Sequence, residues 1–279
     1  MEDYLLYRLQ CDEAIITGCK CFKKKIVIPN MLDGNKVAGI DAYAFSDNNH
    51  IEEVLIEGKI QFIGEFAFEF CENLRKINLP DSINHIGESA FEGCYSLLNI
   101  EIPAGLSRLE KSTFEECIAL TTVEIPRNIK YLDQRVFEFC LNLETVKMNE
   151  GLEFIGNGCF FCCRKLKEFI MPNSVVATGK EILLGCRKMK KIKFSENLKK
   201  IEVGLISRCR KLQEISLPIN VKVVCNGAFA ECSSVKIFTY ENPELVMGVK
   251  VFDGCTTLLN DCSFRKNMDA FLNNSIGQK

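Results

Sequence analysis

The sequence predicts a solenoid in which 23-residue units stack on one another and share a parallel β-sheet. A cysteine returns at one constant interval, from Cys71 and Cys94 onward to Cys255, with no insertion or deletion. A phenylalanine stands three residues before most of these cysteines, and a leucine or similar apolar residue stands three residues after them. A unit of this length is too short to bury its own apolar side chains, whereas stacked units bury them in one continuous core.

The cysteines in register form a structural ladder through the stack. We interpret them as small buried residues, because free cysteine is among the residue types most often buried. A chain of disulfides is the alternative, but parallel stacking keeps neighbouring Cβ atoms about 4.8 Å apart, and a disulfide requires about 3.8 Å. Asn48 also occupies the same column one unit earlier. The ladder consists of Cys71, Cys94, Cys117, Cys140, Cys163, Cys186, Cys209, Cys232 and Cys255.

Each unit contains two predicted extended segments. In residues 71–93 the first is an alternating Leu-x-x-Ile-x-Leu pattern, which ends at Pro80 because proline cannot donate to a β-ladder. The second is Ile-x-x-Ile-Gly-x-x-Ala-Phe. We expect its glycines to supply unusual backbone angles at the turns. These glycines are Gly64, Gly87, Gly156 and Gly179.

The predicted organisation is one elongated domain with a cap at each end. Residues 1–47 are the predicted N-terminal cap, residues 48–258 the repeats, and residues 259–279 the C-terminal cap. In the first cap, YLLYRLQ and AIITGC are predicted to pair as a hairpin, and KKKIVIPN to imitate a repeat strand. In the last cap, SFRKNMDAFLNN has the spacing of a short capping helix, and a docking helix is the alternative.

The repeat resembles the unit of the BspA-like leucine-rich repeat family, C-x-x-L-x-x-I-x-I-P-x-x-V-x-x-I-G-x-x-A-F-x-x. Residues 71–93 read CENLRKINLPDSINHIGESAFEG, and similar units extend over about residues 26–258. The resemblance implies a leucine-rich-repeat solenoid: a curved, right-handed stack that is mostly β and irregular. It also implies a binding function, and bacterial relatives are often cell-surface proteins that attach to host or matrix proteins. Leu183 and Ile206 replace the phenylalanine in the units that depart most from the pattern.

Charge is divided unevenly along the repeats, although the net charge is only −2. Residues 41–158 contain 9 Lys+Arg and 21 Asp+Glu, whereas residues 163–212 contain 14 Lys+Arg and 4 Asp+Glu. A period of two places Lys191 and Lys193 on the exposed face of the sheet, around an inward-facing Ile192. We predict a partner-binding surface here, and ordinary solvated surface is the alternative. Its residues are Lys190, Lys191, Lys193, Arg187, Lys188, Arg210, Lys211 and Lys165.

This predicted surface favours an acidic protein as its partner. Anionic lipid headgroups are an alternative. Self-association is another, in which the acidic half of one molecule meets the basic half of a second, and salt would screen it. Nucleic acid is not expected, because the overall charge is not basic, no recognised motif is present and the exposed sheet positions lack interleaved aromatic residues.

The sequence favours a non-catalytic protein without metal or cofactor. It has no phosphate-binding loop, no G-x-S-x-G and no H-E-x-x-H, and neither His50 nor His85 has a partner that suggests a catalytic triad. A thiol redox or metal site at Cys159, Cys162 and Cys163 is the alternative. Against it, small residues occupy the columns of Cys159 and Cys162 in other units, and zinc would need four ligands.

The sequence also predicts the cellular location of the protein. No stretch approaches the 18 consecutive apolar residues of a membrane helix, and MEDYLLYRLQ is acidic where a signal peptide is basic. Together with many expected free thiols, this predicts a cytoplasmic protein without a transmembrane segment. A cell-surface or secreted protein is the alternative, if a signal peptide has been removed.

Overall fold

The repeats build a continuous stack, as a computed structural model of residues 4–20, 22–261 and 264 shows. These residues form a parallel β-solenoid of about ten turns, in which strands and irregular segments dominate. Successive turns pair in parallel with a register of one repeat, so that Val123 lies beside Val146. The predicted stack of repeats is therefore confirmed.

The N-terminal residues begin the stack with a hairpin. Strands β1 (Leu5–Gln10) and β2 (Glu13–Cys19) pair in antiparallel orientation, as the sequence predicts. Strands β3 (Lys25–Ile28), β4 (Met31–Leu32) and β5 (Asn35–Ile40) follow. Because β3 pairs in parallel with the corresponding strand of the next turn, the segment KKKIVIPN joins the repeat sheet, as predicted.

The later strands alternate between two positions of each coil, and a short helix follows them. In chain order they are β6 (Glu53–Ile56), β7 (Phe62–Ile63), β8 (Lys76–Ile77), β9 (His85–Ile86), β10 (Arg108–Leu109), β11 (Thr122–Ile125), β12 (Tyr131–Leu132), β13 (Thr145–Met148), β14 (Phe154–Ile155), β15 (Glu168–Ile170), β16 (Ala177–Thr178), β17 (Lys191–Lys193), β18 (Lys200–Ile201), β19 (Glu214–Leu217), β20 (Val223–Val224), β21 (Ile237–Tyr240), β22 (Val246–Met247) and α1 (Thr256–Leu259). The predicted helix SFRKNMDAFLNN lies outside the described residues except for Phe264. Among the described residues, no helix has the length and apolar character needed to cross a bilayer.

Three hydrogen-bonded ladders hold neighbouring coils together. The first strand position gives the series β3-β6-β8, β11-β13, β15-β17 and β19-β21, and the second gives β2-β5-β7-β9, β10-β12-β14-β16 and β18-β20-β22. The third ladder joins the turns that precede the ladder cysteines. There the backbone N–H groups of Phe66 and Phe70 donate to the carbonyls of Glu88 and Glu92 in the next coil, at 2.9 and 2.7 Å. Both phenylalanines have positive φ, +56° and +51°, and this left-handed pair recurs along the stack.

A column of phenylalanine rings fills the core between the ladders. The six rings from Phe45 to Phe160 stack face to face, with centroids 5.1–5.7 Å apart. Leu183 and Ile206 interrupt the rings but are fully buried, and Phe229 resumes the column. Aromatic rings and branched aliphatic side chains therefore fill the same position.

The ladder cysteines lie beside these rings, and all nine are fully buried. Each thiol donates to the carbonyl at the phenylalanine position of the preceding coil, at 3.0–3.4 Å. The nine ladder cysteines are all free thiols. A ladder cysteine is thus both a small core residue and a donor to a buried carbonyl, which a purely apolar residue could not be.

The prediction that the glycines of the second segment supply unusual backbone angles is wrong. Gly64, Gly87, Gly156 and Gly179 are not among the residues with positive φ. Glycine is required at these positions because the backbone of the preceding coil leaves no room for a Cβ atom. A Cβ atom on Gly87 would lie 2.5 Å from the backbone nitrogen of Glu65.

Replacing Gly87 with alanine is expected to lower the free energy of unfolding by about 3 kcal/mol, since the blocking atoms are backbone and cannot rotate away. Gly34→Ala is the control. Gly34 has φ of +83° with nothing within 4 Å of the new Cβ, so only the backbone cost of about 1 kcal/mol applies. Urea unfolding of both variants measures the difference, and equal losses would contradict the close-approach explanation.

Candidate partner-binding surface

Strand β17 presents two lysines on the outer face of the first sheet series. Lys191 and Lys193 are exposed, while Ile192 between them packs against the core. In the parallel register with β15, Lys191 lies beside Glu168 and Lys193 beside Ile170. The alternation that the sequence predicts therefore places both ammonium groups toward solvent.

A second group of cations follows the ladder cysteines. Arg187, Lys188, Arg210 and Lys211 are exposed on successive coils, and Lys165 precedes them in the same column as Lys188. The structure adds Arg164, which completes three Arg-Lys pairs at successive coils roughly 4.8 Å apart. Sequence reasoning missed Arg164, although the word Cys-Arg-Lys recurs three times in register.

We use the term basic surface for the eight predicted residues together with Arg164. Arg210 lies 3.7 Å from Glu231. Within the described part of the chain, the other members have no carboxylate oxygen within 4.0 Å. Cations outside it are more often paired, such as Lys147 with Glu124 at 2.8 Å and Lys167 with Glu144 at 2.5 Å. The unpaired members are Arg164, Lys165, Arg187, Lys188, Lys190, Lys191, Lys193 and Lys211.

The acidic half of the chain places one column of carboxylates on the turn ladder. Glu69, Glu92, Glu115 and Glu138 occupy one column of successive coils. Burial, followed by repulsion from Glu115, raises the pKa of Glu138 to about 7. At the border, the hydrogen bond from Lys167 and its charge lower the pKa of Glu144, with a smaller effect from Lys165. The two charge regions therefore lie on different coils, although Glu144 occupies the same column as Lys190.

A cleft of about 590 Å³ adjoins the basic surface. It lies where the first sheet series is interrupted. Strand β13 pairs with β11 and β15 pairs with β17, but β13 and β15 do not pair with each other. Met148 and Ile170 are its accessible apolar residues, since Met171 beside them is only 2% exposed, and its charged lining comprises Glu150 and Glu168 as well as cations such as Arg127 and Lys193. Sequence reasoning missed this cleft, because the repeat pattern continues through both strands without a gap.

The cysteines of the alternative redox or metal site do not form an exposed cluster. Cys159 and Cys163 are fully buried, whereas Cys162 is half-buried with φ of +57°. Burial raises the pKa of Cys159 and of Cys163 well above its ordinary range, which opposes the thiolate that redox and metal chemistry require. Among the described residues, no group of three or more His, Cys, Asp or Glu side chains is arranged to hold a metal ion.

The stacked parallel coils, the apolar columns and the turn ladder together define a leucine-rich-repeat solenoid. The chain belongs to the BspA-type leucine-rich repeat family, because the model of the "BspA type Leucine rich repeat region" matches residues 38–167 and 135–259, with six copies. This confirms the family resemblance of the repeat. No curated protein sequence matches the chain.

Solved structures of leucine-rich-repeat proteins match the chain over most of its length. One similar structure is a leucine rich cell surface protein from Faecalibacterium prausnitzii A2-165, with a TM-score of 0.52 and 19% identity, covering 94% of this chain and 95% of that one. Another is a leucine-rich repeat protein from Bacteroides ovatus, with a TM-score of 0.44 and 21% identity, covering 92% of each chain. Because its sequence identity is so low, the first likeness shows the fold alone.

Proposed function

We propose that this protein is a non-catalytic protein-binding solenoid and that its partner is an acidic protein held on the basic surface. The observation that carries the proposal is the group of eight unpaired cations on adjacent coils. Uncompensated positive charge of this density attracts acidic partners and accelerates their association. The repeat supports the proposal further, since stacked coils hold these side chains at fixed spacing on a rigid face.

Reversing two charges at the centre of the basic surface is expected to weaken binding of an acidic chain by about tenfold or more. The variant is Lys191→Glu with Lys193→Glu, which replaces attraction by repulsion on an exposed strand. Fluorescence anisotropy with labelled poly-L-glutamate as the probe measures the affinity. The affinity of the unmodified protein should also fall as the salt concentration rises, because exposed charges are screened.

Lys76→Glu is the matched control for that charge reversal. Lys76 is exposed in β8, at the same coil position as Lys191, but lies in the acidic half of the chain. It should leave the affinity for poly-L-glutamate unchanged. If the double variant binds as tightly as the unmodified protein, the assignment of the site is wrong. Tighter binding to phosphatidylserine vesicles than to poly-L-glutamate, lost in the same variant, would identify a lipid surface instead.

A cell-surface adhesin is the second candidate function. It is supported by the similar protein from F. prausnitzii, which is described as a cell surface protein. An adhesin must leave the cytoplasm, so protease treatment of intact source cells distinguishes it from the predicted cytoplasmic protein. Digestion of the protein on intact cells supports the adhesin, whereas full protection until the cells are lysed contradicts it.

A further inference from the structure

We infer that the cleft beside the basic surface receives a large apolar side chain from the bound acidic protein. This inference rests on the proposed function and specifies the segment that the surface recognises. The expected segment is extended and acidic, and it carries one residue such as leucine or phenylalanine among its carboxylates. Ile170 and Met148 would contact that residue, while Lys193 would meet a neighbouring carboxylate.

Ile170 departs from the pattern of its own column. Its counterparts on the neighbouring coils are Lys147 and Lys193, which are exposed and charged. Ile170 itself remains 37% exposed, so an apolar side chain faces solvent in a column where polar residues surround it. Met148, which is half-buried, also lines the cleft, and methionine side chains adapt to differently shaped apolar partners. Ile170 and Met148 together suit an apolar side chain.

Polar contacts fix the walls of the cleft. The carboxylate of Glu150 accepts hydrogen bonds from the backbone N–H groups of Asn173 and Ser174, at 3.0 and 2.9 Å. On the other side, the backbone N–H of Met171 donates to the carbonyl of Lys193 at 2.9 Å. The opening is therefore built into the stack, and its volume of about 590 Å³ is within the usual range of ligand sites.

Charge complementarity selects the occupant, although Glu150 and Glu168 also line the cleft, because backbone N–H groups already hold the Glu150 carboxylate and the lysines of β17 outnumber Glu168. Lys193 lines the cleft and belongs to the basic surface, and Lys191 lies two residues away on the same face of β17. In an extended segment, side chains two residues apart point to the same side at about 7 Å. An apolar residue in the cleft would therefore place flanking carboxylates over the unpaired lysines. A purely apolar partner would leave these charges without a counterion.

Two acidic decapeptides that differ only at one central residue test the inference. Each consists of glutamate, with leucine at the centre of one and serine at the centre of the other. The leucine peptide is expected to bind about tenfold more tightly at low salt, as measured by titration calorimetry, since burial of one apolar side chain gives discrimination of this order. Ile170→Ser should reduce the preference to less than threefold while leaving the affinity for the serine peptide unchanged.

Ile237→Ser is the control variant, because Ile237 is another exposed isoleucine of the same sheet series, at 51% exposure, outside the cleft. It should keep the tenfold preference. If neither peptide binds, the proposed function fails together with the inference. If both bind equally, or if the preference persists in Ile170→Ser, the inference alone is wrong. Self-association that excludes both peptides would assign the surface to a second copy of the chain and overturn the inference.

Discussion

Raising the pH from 8 to 10 is expected to lower the free energy of unfolding by on the order of 10 kcal/mol, as much as the whole stability of many domains. The cause is the buried thiols. Burial raises the pKa of Cys71 to about 12 and that of Cys255 to about 12. It also raises the pKa of seven further buried cysteines from the ordinary value of 9.0, namely Cys94, Cys117, Cys140, Cys159, Cys163, Cys186 and Cys209.

The direction follows from proton binding. Above about pH 9 the unfolded chain loses thiol protons that the folded chain retains, so the folded state binds more protons and stability falls as the pH rises. The contribution of each thiol is complete below pH 9 and is lost as the pH rises from 9 toward the raised pKa, which is about 12 for Cys71. At pH 10 each of the nine thiols has lost about 1.4 kcal/mol, which together gives the expected order of magnitude.

Urea unfolding between pH 7 and 10.5, with a non-thiol reductant present, measures this loss. Cys117→Ala removes one buried thiol and should reduce the pH slope by about one proton. Cys11→Ser is the control, since Cys11 is exposed and its replacement should leave the slope unchanged. Stability that stays constant up to pH 10.5 would show that the thiols are not protected by burial in the folded state.

The sequence predicts the fold because stacked coils require residues of similar character at the same position of every repeat. A residue that faces the core in one coil must be followed one repeat later by another that packs on it, as Phe91 is followed by Phe114. The parallel register and the outward direction of Lys191 follow from this periodicity and from the alternation of strands. These features depend on residue spacing alone, so one chain is enough to reveal them.

Other features depend on distances between coils, and spacing does not reveal them. Gly87 is required by the approach of the Glu65 backbone, which the sequence cannot distinguish from a need for unusual backbone angles. The cleft arises where the adjacent strands β13 and β15 do not pair, and in the sequence its only trace is Ile170 in a column of polar neighbours. The hydrogen bond from each thiol to a carbonyl in the preceding coil is likewise visible only in three dimensions.

Removing one ring from the phenylalanine column is expected to have the second largest effect. Phe114 is fully buried and lies between Phe91 and Phe137, with centroids at 5.4 and 5.7 Å and rings within 9° of parallel. Phe114→Ala should lower the free energy of unfolding by about 3–5 kcal/mol, because it removes buried apolar surface and leaves a cavity. The thiol of Cys140 donates to the Phe114 carbonyl at 3.3 Å, so collapse around the cavity would also disturb the thiol ladder.

The chain itself supplies the conservative comparison for this variant. Leu183 occupies the same column and is fully buried, so Phe114→Leu should cost less than half as much as Phe114→Ala. Phe22→Ala controls for the loss of an exposed ring, since Phe22 is 82% exposed and its removal should change stability by less than about 0.5 kcal/mol.

Urea unfolding gives the stabilities, and hydrogen exchange locates the damage. Because each coil contacts only its neighbours, protection should fall first in the coils around Phe114. A uniform loss of protection along the whole stack would contradict that local origin.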